Sequence, residues 1–433
     1  MDTLITILFF ASLIYGSLRP SWALAMIIFL FPLEQLMKVS APGLQTVPFF
    51  FGKPVNYLIG IMSLLSLGTI ILREMRPFIG FLNSATSFII LIIAWAMISI
   101  TWSQDRSGAI DMTLVCWPYF FLRILIAPLL IISIDELKKT LFSIIILGLC
   151  ISLLILTSPG FTGQWGRLGI LEGTKMASNP LALGDLGGIL VITATLFRMH
   201  NLGFLFNIVR FLAMLTGIVM VIQSGARGQV ISCCLVSILL YPLSIPLKNV
   251  KNFILGLFAS VLFIVITSLA MSYLLDNVAA KRFSINELLY GASSVDVRYQ
   301  NVVLLFNNWI QNPIHIIFGL GYFTFNSLSG GAFYSHVMIA DFIFELGLPG
   351  LLFMILIFTF MIRSVIYFFG KYKDQPAIRS SLFALFGIIL YLIIVANKQG
   401  DLWGSTPLYM FIAILGRLTY INKYEDGLLD EYQ

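Results

Sequence analysis

Gln223-Ser224-Gly225-Ala226-Arg227-Gly228-Gln229 sets one guanidinium between two glycines, with apolar runs closing in on both sides. Glycine tolerates backbone conformations that other residues avoid, so this stretch turns tightly and leaves Arg227 uncovered. A guanidinium is a planar, permanently charged fork that grips phosphate oxygens two at a time. Two readings stand: a phosphate-binding arginine, or a tight turn with a surface charge. Arg298 lies in DVRYQNVVLLFNNWIQ, residues 296–311, one turn before Val302. It too is open to an anion grip or to a charge that touches lipid headgroups. His336, in Tyr334-Ser335-His336, stands at the mouth of an apolar run. An imidazole titrates near neutrality and suits general-base work; the plainer reading is a cap at a span end. Arg123 sits well inside an apolar run, where a charge is functional unless it snorkels. Arg210 and Arg363 read as snorkelling.

Other chemistries are not written in the chain. There is no GxxxxGK[ST] phosphate loop, no HExxH, no GxSxG elbow and no paired-cysteine metal motif. Three histidines in all, His200, His315 and His336, argue against a histidine-based metal site. Cys116, Cys150, Cys233 and Cys234 all fall in apolar runs and read as small buried hydrophobes. No metal and no cofactor are expected.

These residues need a scaffold, and composition says which. Of 433 residues, 59% are apolar and 11% charged, against ~25% charged in a soluble domain. Mean hydropathy is +0.97. A soluble enzyme or a disordered chain is excluded. A porin strand alternates apolar and polar residues, whereas here the apolar stretches are long and unbroken. The expected fold is all-α, a polytopic transmembrane bundle of about 12–13 spans, since each span takes ~20 residues. Apolar runs fall at about 3–16, 23–37, 55–72, 86–102, 115–133, 140–157, 180–198, 203–222, 229–246, 252–275, 347–369, 380–396 and 404–420. The first run has no basic residue ahead of it, so it reads as a span and not as a cleaved signal. The net charge of +6 reflects loop lysines and arginines, not nucleic-acid binding.

Basic residues in short loops mark the cytoplasmic side. Arg19, Arg73 and Arg76, Lys138 and Lys139, Arg198, Lys248 and Lys251, then Lys371, Lys373 and Arg379 occupy alternate loops. Two other loops then face outward. Residues 158–180 are rich in glycine and turn formers and carry Arg167 and Lys175. Residues 276–336 are too long for a passive link in a compact bundle and keep Tyr299, Trp309, Tyr322 and Phe323. Within them, residues 296–311 are expected to form an amphipathic helix, with Val302, Leu305 or Phe306, and Trp309 on one face. Asn312-Pro313 is expected to stop it, with Trp309 as an interfacial anchor. Three regions follow: N-terminal helices over 1–275, the large outer loop over 276–336, and C-terminal helices with a short tail over 337–433.

In order along the chain stand Arg167-Leu168-Gly169 with Ser178-Asn179-Pro180, the Ser224-Gly225-Ala226-Arg227-Gly228 turn, and Arg298 followed by Trp309, Asn312-Pro313 and Phe318-Gly319-Leu320-Gly321. Tyr334-Ser335-His336 then leads into Phe344-Glu345-Leu346-Gly347-Leu348-Pro349-Gly350. This series resembles the O-antigen ligase/polymerase superfamily of bacterial envelope glycosyltransferases, over about 160–355. Val337 stands where that family usually has asparagine.

The resemblance implies a metal-independent transfer of glycan from an undecaprenyl-diphosphate-linked oligosaccharide at the periplasmic face of the bacterial inner membrane. It gives Arg227 and Arg298 to the diphosphate and His336 to the proton of the attacking sugar hydroxyl. It puts Arg167, Lys175 and Arg282 along the glycan or phosphate path. Partners would be membrane lipids and a polysaccharide co-polymerase that regulates chain length. The Tyr-x-His entry followed by Glu-Leu-Gly-Leu looks like the O-antigen polymerases. The alternative is the O-antigen ligase, which moves finished polymer to lipid A–core in lipopolysaccharide biosynthesis. A lipid-linked glycan flippase is a third reading. Such transporters show repeated halves and charges near the midplane, and neither is evident in the sequence.

Overall fold

A computed structural model of the chain describes residues 2–45, 53–74, 77–164, 167–172, 175–176, 178–199, 203–244, 254, 258, 293–332 and 334–427. The fold is an all-α polytopic bundle. Eight described helices are long and apolar enough to cross a membrane: Pro54–Arg73, Ser84–Trp102, Arg106–Leu130, Ile134–Thr157, Gly203–Gln223, Arg227–Ser244, Gly347–Lys371 and Pro376–Gln399. The chain is therefore a multi-pass membrane protein.

Thirteen apolar runs were expected; four of the other five are described and depart from a straight, full-length apolar span. Pro20–Ile28 and Leu30–Ser40 meet at a bend of 77°. They make a ninth span only if the broken pair counts as one. Asp2–Leu18 and Pro180–Leu196 are apolar but 17 residues long, short of the ~20 that a bilayer asks for. Thr406–Glu425 has the length but carries Arg417 and Lys423. The run at 252–275 lies, apart from Ile254 and Phe258, outside the described residues.

Helix starts follow from local chemistry. Ser133 accepts the Glu136 N–H at 3.2 Å, and Asp135 and Glu136 fill the first turn, where acidic groups suit the helix dipole. Asn83 accepts the Thr86 N–H at 3.1 Å. Proline opens Pro20–Ile28 and Pro180–Leu196, where its missing N–H costs nothing.

The chain forms two compact units, each assembled from three segments. One comprises Met1–Pro77, Ser133–Tyr290 and Lys371–Tyr391; the other comprises Phe78–Ile132, Gly291–Gly370 and Leu392–Gln433. In the first, Pro180–Leu196 is buried along nearly all its length. A Cβ on Gly187 would lie 2.6 Å from the Gly217 carbonyl oxygen, so this helix and Gly203–Gln223 pack backbone to backbone, as small residues permit in lipid. Described residues of the loop at 158–180 in this unit form two hairpins. Thr162–Gln164 pairs with Arg167–Gly169, and Leu171–Glu172 pairs with Lys175–Met176.

In the second unit, Arg106–Phe120 contains Pro118 and continues as a π-helical turn over Phe121–Ile126. Proline withholds a helical hydrogen bond, and π turns are a common way to absorb such a break. Arg417 is fully buried across this region. It donates to the Pro128 carbonyl at 2.7 Å and to the Ile79 carbonyl at 3.1 Å.

Candidate functional site

The expected outer helix spans Ser293–Ile310. Its Leu305 is buried with Leu320, Phe325, Ala340 and Phe344, and Val302 and Trp309 pack on that cluster. Trp309 thus turns inward: its ring lies 5.3 Å from that of Phe344. Asn312 does more than end the helix. Its side chain accepts the Ile314 N–H at 2.9 Å and starts a second helix, Pro313–Phe318.

Two sequence pieces whose paired residues stand 24 apart prove to be one crossing. Leu320 N–H donates to the Phe344 carbonyl at 2.9 Å, and Gly321 N–H donates to the Glu345 carbonyl at 2.9 Å. Gly319 has φ +83° and Gly347 has φ +67°. A Cβ on Gly319 would strike the Glu345 carbonyl, and one on Gly347 would strike the Gly319 nitrogen. Only glycine meets both demands. This crossing fixes Glu345 and, through the short helix Met338–Phe344, the loop that carries His336.

His336 has φ +68°, a left-handed conformation that costs a non-glycine residue ~1–2 kcal/mol. The surroundings impose it. Ser335, fully buried, donates to Asp341 Oδ1 at 2.5 Å and accepts the Val337 N–H at 3.1 Å. The Asn301 amide donates to the Ser335 carbonyl at 3.3 Å and ties the loop to the outer helix. Tyr334 packs edge-on against the imidazole, ring centroids 4.4 Å apart. Burial first, and then the charge of Arg298, pushes the His336 pKa below its ordinary value. The structure thus brings Arg298 and His336 into electrostatic contact, and both causes favour the neutral imidazole. Burial also lowers the pKa of Arg298.

Behind His336 lies a cavity lined by Tyr322, Phe323, Tyr334, Asp341, Glu345, Asp401 and Leu402. Glu345 accepts the Phe323 N–H at 3.1 Å and the Phe325 N–H at 2.9 Å. These bonds hold Phe323, itself at φ +67°, and cap the start of Thr324–Leu328. Asp401 accepts the Gly404 N–H at 2.6 Å. Burial pushes all three carboxyl groups up. Asp341 rises well above the carboxylate range, helped by the charge of Glu345. Glu345 is pushed up to about 7, although its two backbone N–H bonds pull the other way.

The remaining candidates lie on other elements. Arg227 belongs to the first unit and opens the Arg227–Ser244 helix. The turn before it forms as expected: Gly225 has φ +65°, and the buried Ser224 donates to the Val221 carbonyl at 2.7 Å. Two residues on, Gln229 donates to the Leu181 carbonyl at 2.9 Å and to Asp185 Oδ1 at 2.5 Å. Tyr391 donates to the same carboxylate oxygen at 3.1 Å. Arg167 lies in the first hairpin and Lys175 in the second. Arg282 lies outside the described residues. Arg123 does not snorkel. It is buried and donates to Thr406 Oγ1 at 3.0 Å. Arg210 does not snorkel freely either: it donates to the Ala194 carbonyl at 3.0 and 2.8 Å and so caps the end of Pro180–Leu196. Among the described residues, no group of three or more His, Cys, Asp or Glu residues could hold a metal ion.

Sequence reasoning passed over Asp185, Tyr322, Tyr391 and Asp401. Asp185 and Asp401 did leave a signal, since each is a lone carboxylate against an apolar run, where an ionisable group is functional by default. No family model matches this chain, and no curated protein matches it.

Proposed function

We propose that this protein is a bacterial inner-membrane glycosyltransferase that polymerises a surface polysaccharide at the periplasmic face. The observation that carries the reading is the pairing of a conformationally held His336, its pKa lowered so that the neutral imidazole is favoured, with the cationic Arg298. In the reaction, the hydroxyl oxygen of one lipid-linked repeat unit attacks the anomeric carbon of another. The anomeric C–O bond breaks, and its electron pair leaves on undecaprenyl diphosphate. His336 takes the hydroxyl proton, and Arg298 faces the negative charge that grows on the leaving group. Arg227 has a like role by its sequence turn alone. No step needs a metal.

The helix pair of the outer loop supports an interfacial setting. Val297, Tyr299, Phe306, Ile310, Ile314 and Ile317 are exposed apolar or aromatic side chains, as a helix lying at a lipid boundary requires. The Tyr-x-His entry and the Glu-Leu-Gly-Leu piece favour polymerase over ligase.

Deletion in the source bacterium, followed by a lipopolysaccharide gel, tests the reading. Loss of a polymerase leaves core plus one repeat unit. Bare core with polymer accumulating on undecaprenyl diphosphate would instead mean a ligase. Bare core without that polymer would mean a flippase.

A further inference from the structure

The cavity behind His336 contains an anomaly. The Tyr322 hydroxyl is buried, with the residue 3% exposed, and has no hydrogen-bond partner. A buried donor left unmatched is unfavourable. It lines the same small space as Tyr334, Asp341, Glu345 and Asp401. The free space is about what one water molecule needs, and such a water settles where two to four polar partners converge. Here one donor and several carboxylate oxygens converge.

We propose that this cavity is a proton-holding site, in which a bound water joins the Tyr322 hydroxyl to Asp341, Glu345 and Asp401, and these carboxyl groups share at least one proton at neutral pH.

Each carboxyl group has one side already committed. Asp341 is held by Ser335, Glu345 by the Phe323 and Phe325 amides, and Asp401 by the Gly404 amide. None is matched by an arginine or lysine in these bonds. Three buried negative charges so close together repel, and a shared proton relieves them. Burial raises all three pKa values, and repulsion from neighbouring carboxylates adds to it at Asp341 and Glu345, in the direction that a shared proton requires. Cys116 and Tyr409 also interact electrostatically with this cluster. On the side of the loop, Tyr334 both lines the cavity and touches His336, with Arg298 beyond.

This placement has a consequence that rests on the function proposed above. His336 is lowered and Glu345 raised to about 7, so a proton taken by His336 moves downhill into the cavity. An imidazolium N–H breaks, a carboxyl O–H forms, and His336 returns neutral for the next transfer.

Infrared difference spectroscopy of the purified full chain in lipid nanodiscs tests the site without substrate. A protonated-carboxyl C=O band at neutral pH, shifting in heavy water, is expected. Glu345→Gln or Asp341→Asn should remove or shrink it. Tyr322→Phe, which deletes one hydroxyl and keeps the ring, should shift its frequency in a protein that accumulates normally. Absence of the band, or a band unchanged in all three variants, overturns the site. In the relay, Tyr322→Phe should also slow polymer formation several-fold; an unchanged rate overturns that role. If the chain makes no polymer at all, the proposed function fails while the infrared result still stands on its own.

Discussion

Ser335 Oγ donates to Asp341 Oδ1 at 2.5 Å, and this bond sets the backbone one residue before His336. A buried carboxyl in the short helix Met338–Phe344 thereby holds the loop in which His336 adopts φ +68°. Strain kept by surrounding structure is a common mark of a functional position. It also explains how a side chain on a long loop keeps one direction. The imidazole is presented by a hydrogen-bonded hook, not by a regular helix.

Replacing the imidazole tests its role directly. His336→Ala should lose about 10²–10⁴ of polymer-forming rate if the ring is the general base, with protein levels unchanged. His336→Gln should not rescue it, because an amide does not accept the proton. A purely structural cap would tolerate Gln. Long-chain polymer from His336→Gln at wild-type level would remove His336 from the mechanism.

Arg298 carries two separable effects. Its charge lowers the His336 pKa, so Arg298→Ala should raise that pKa. The acid limb of the pH–rate profile, where His336 must be neutral, then moves to higher pH. Arg298→Ala should also cost about 10²–10³ in rate by losing a donor to the leaving group. Arg298→Lys should restore the limb, since it restores the charge, yet not the rate, since a point charge does not copy a bidentate fork. A limb that does not move in Arg298→Ala would break the electrostatic link between the two residues.

Much of this was legible in the sequence, and the limits have physical reasons. The apolar period of Val302, Leu305 and Trp309 located the Ser293–Ile310 helix to within a few residues, because packing and period agree there. The glycines of 319–321 and 347 were visible as a series, but not their crossing, because main-chain pairing between distant segments leaves no local pattern. Asp401 lies 60 residues beyond Asp341, and only the fold puts them in one cavity. The partners of Arg123 and Arg210 were not legible, because hydropathy reports depth in a run, while the acceptors, the Thr406 hydroxyl and the Ala194 carbonyl, are set by tertiary contacts.

Glu345 should leave a mark on stability against pH. Its folded pKa is raised from 4.5 to about 7, so the folded state binds its proton more tightly than the unfolded state does. Its contribution is fully present below about 4.5 and is lost as pH rises through about 7. Raised Asp341 and Asp401 act in the same direction. The thermal midpoint in detergent should therefore fall across that window. Glu345→Gln should flatten the fall. It should also lower the midpoint at acid pH, because the Gln amide matches only one of the two N–H donors of Phe323 and Phe325. A wild-type midpoint that rises across the window would contradict the raised pKa values.

The side of the membrane decides whether the chemistry proposed here has access to its substrate. Basic residues alternate to one side of the short loops, and positive charge is retained on the cytoplasmic face during insertion, so 276–336 is expected outside. Ser327 is exposed on the short helix Thr324–Leu328 and offers a reporter on the loop that leads to His336. With Cys116, Cys150, Cys233 and Cys234 replaced, a single Ser327→Cys should react with an impermeant thiol reagent in intact spheroplasts. A second cysteine at Lys139, exposed in the first turns of Ile134–Thr157 and paired with Glu136, should react only after lysis. The reverse pattern would put His336 in the cytoplasm, where no attack on a periplasmic lipid-linked glycan is possible, and would overturn the polymerase reading whatever the behaviour of the His336 and Arg298 variants.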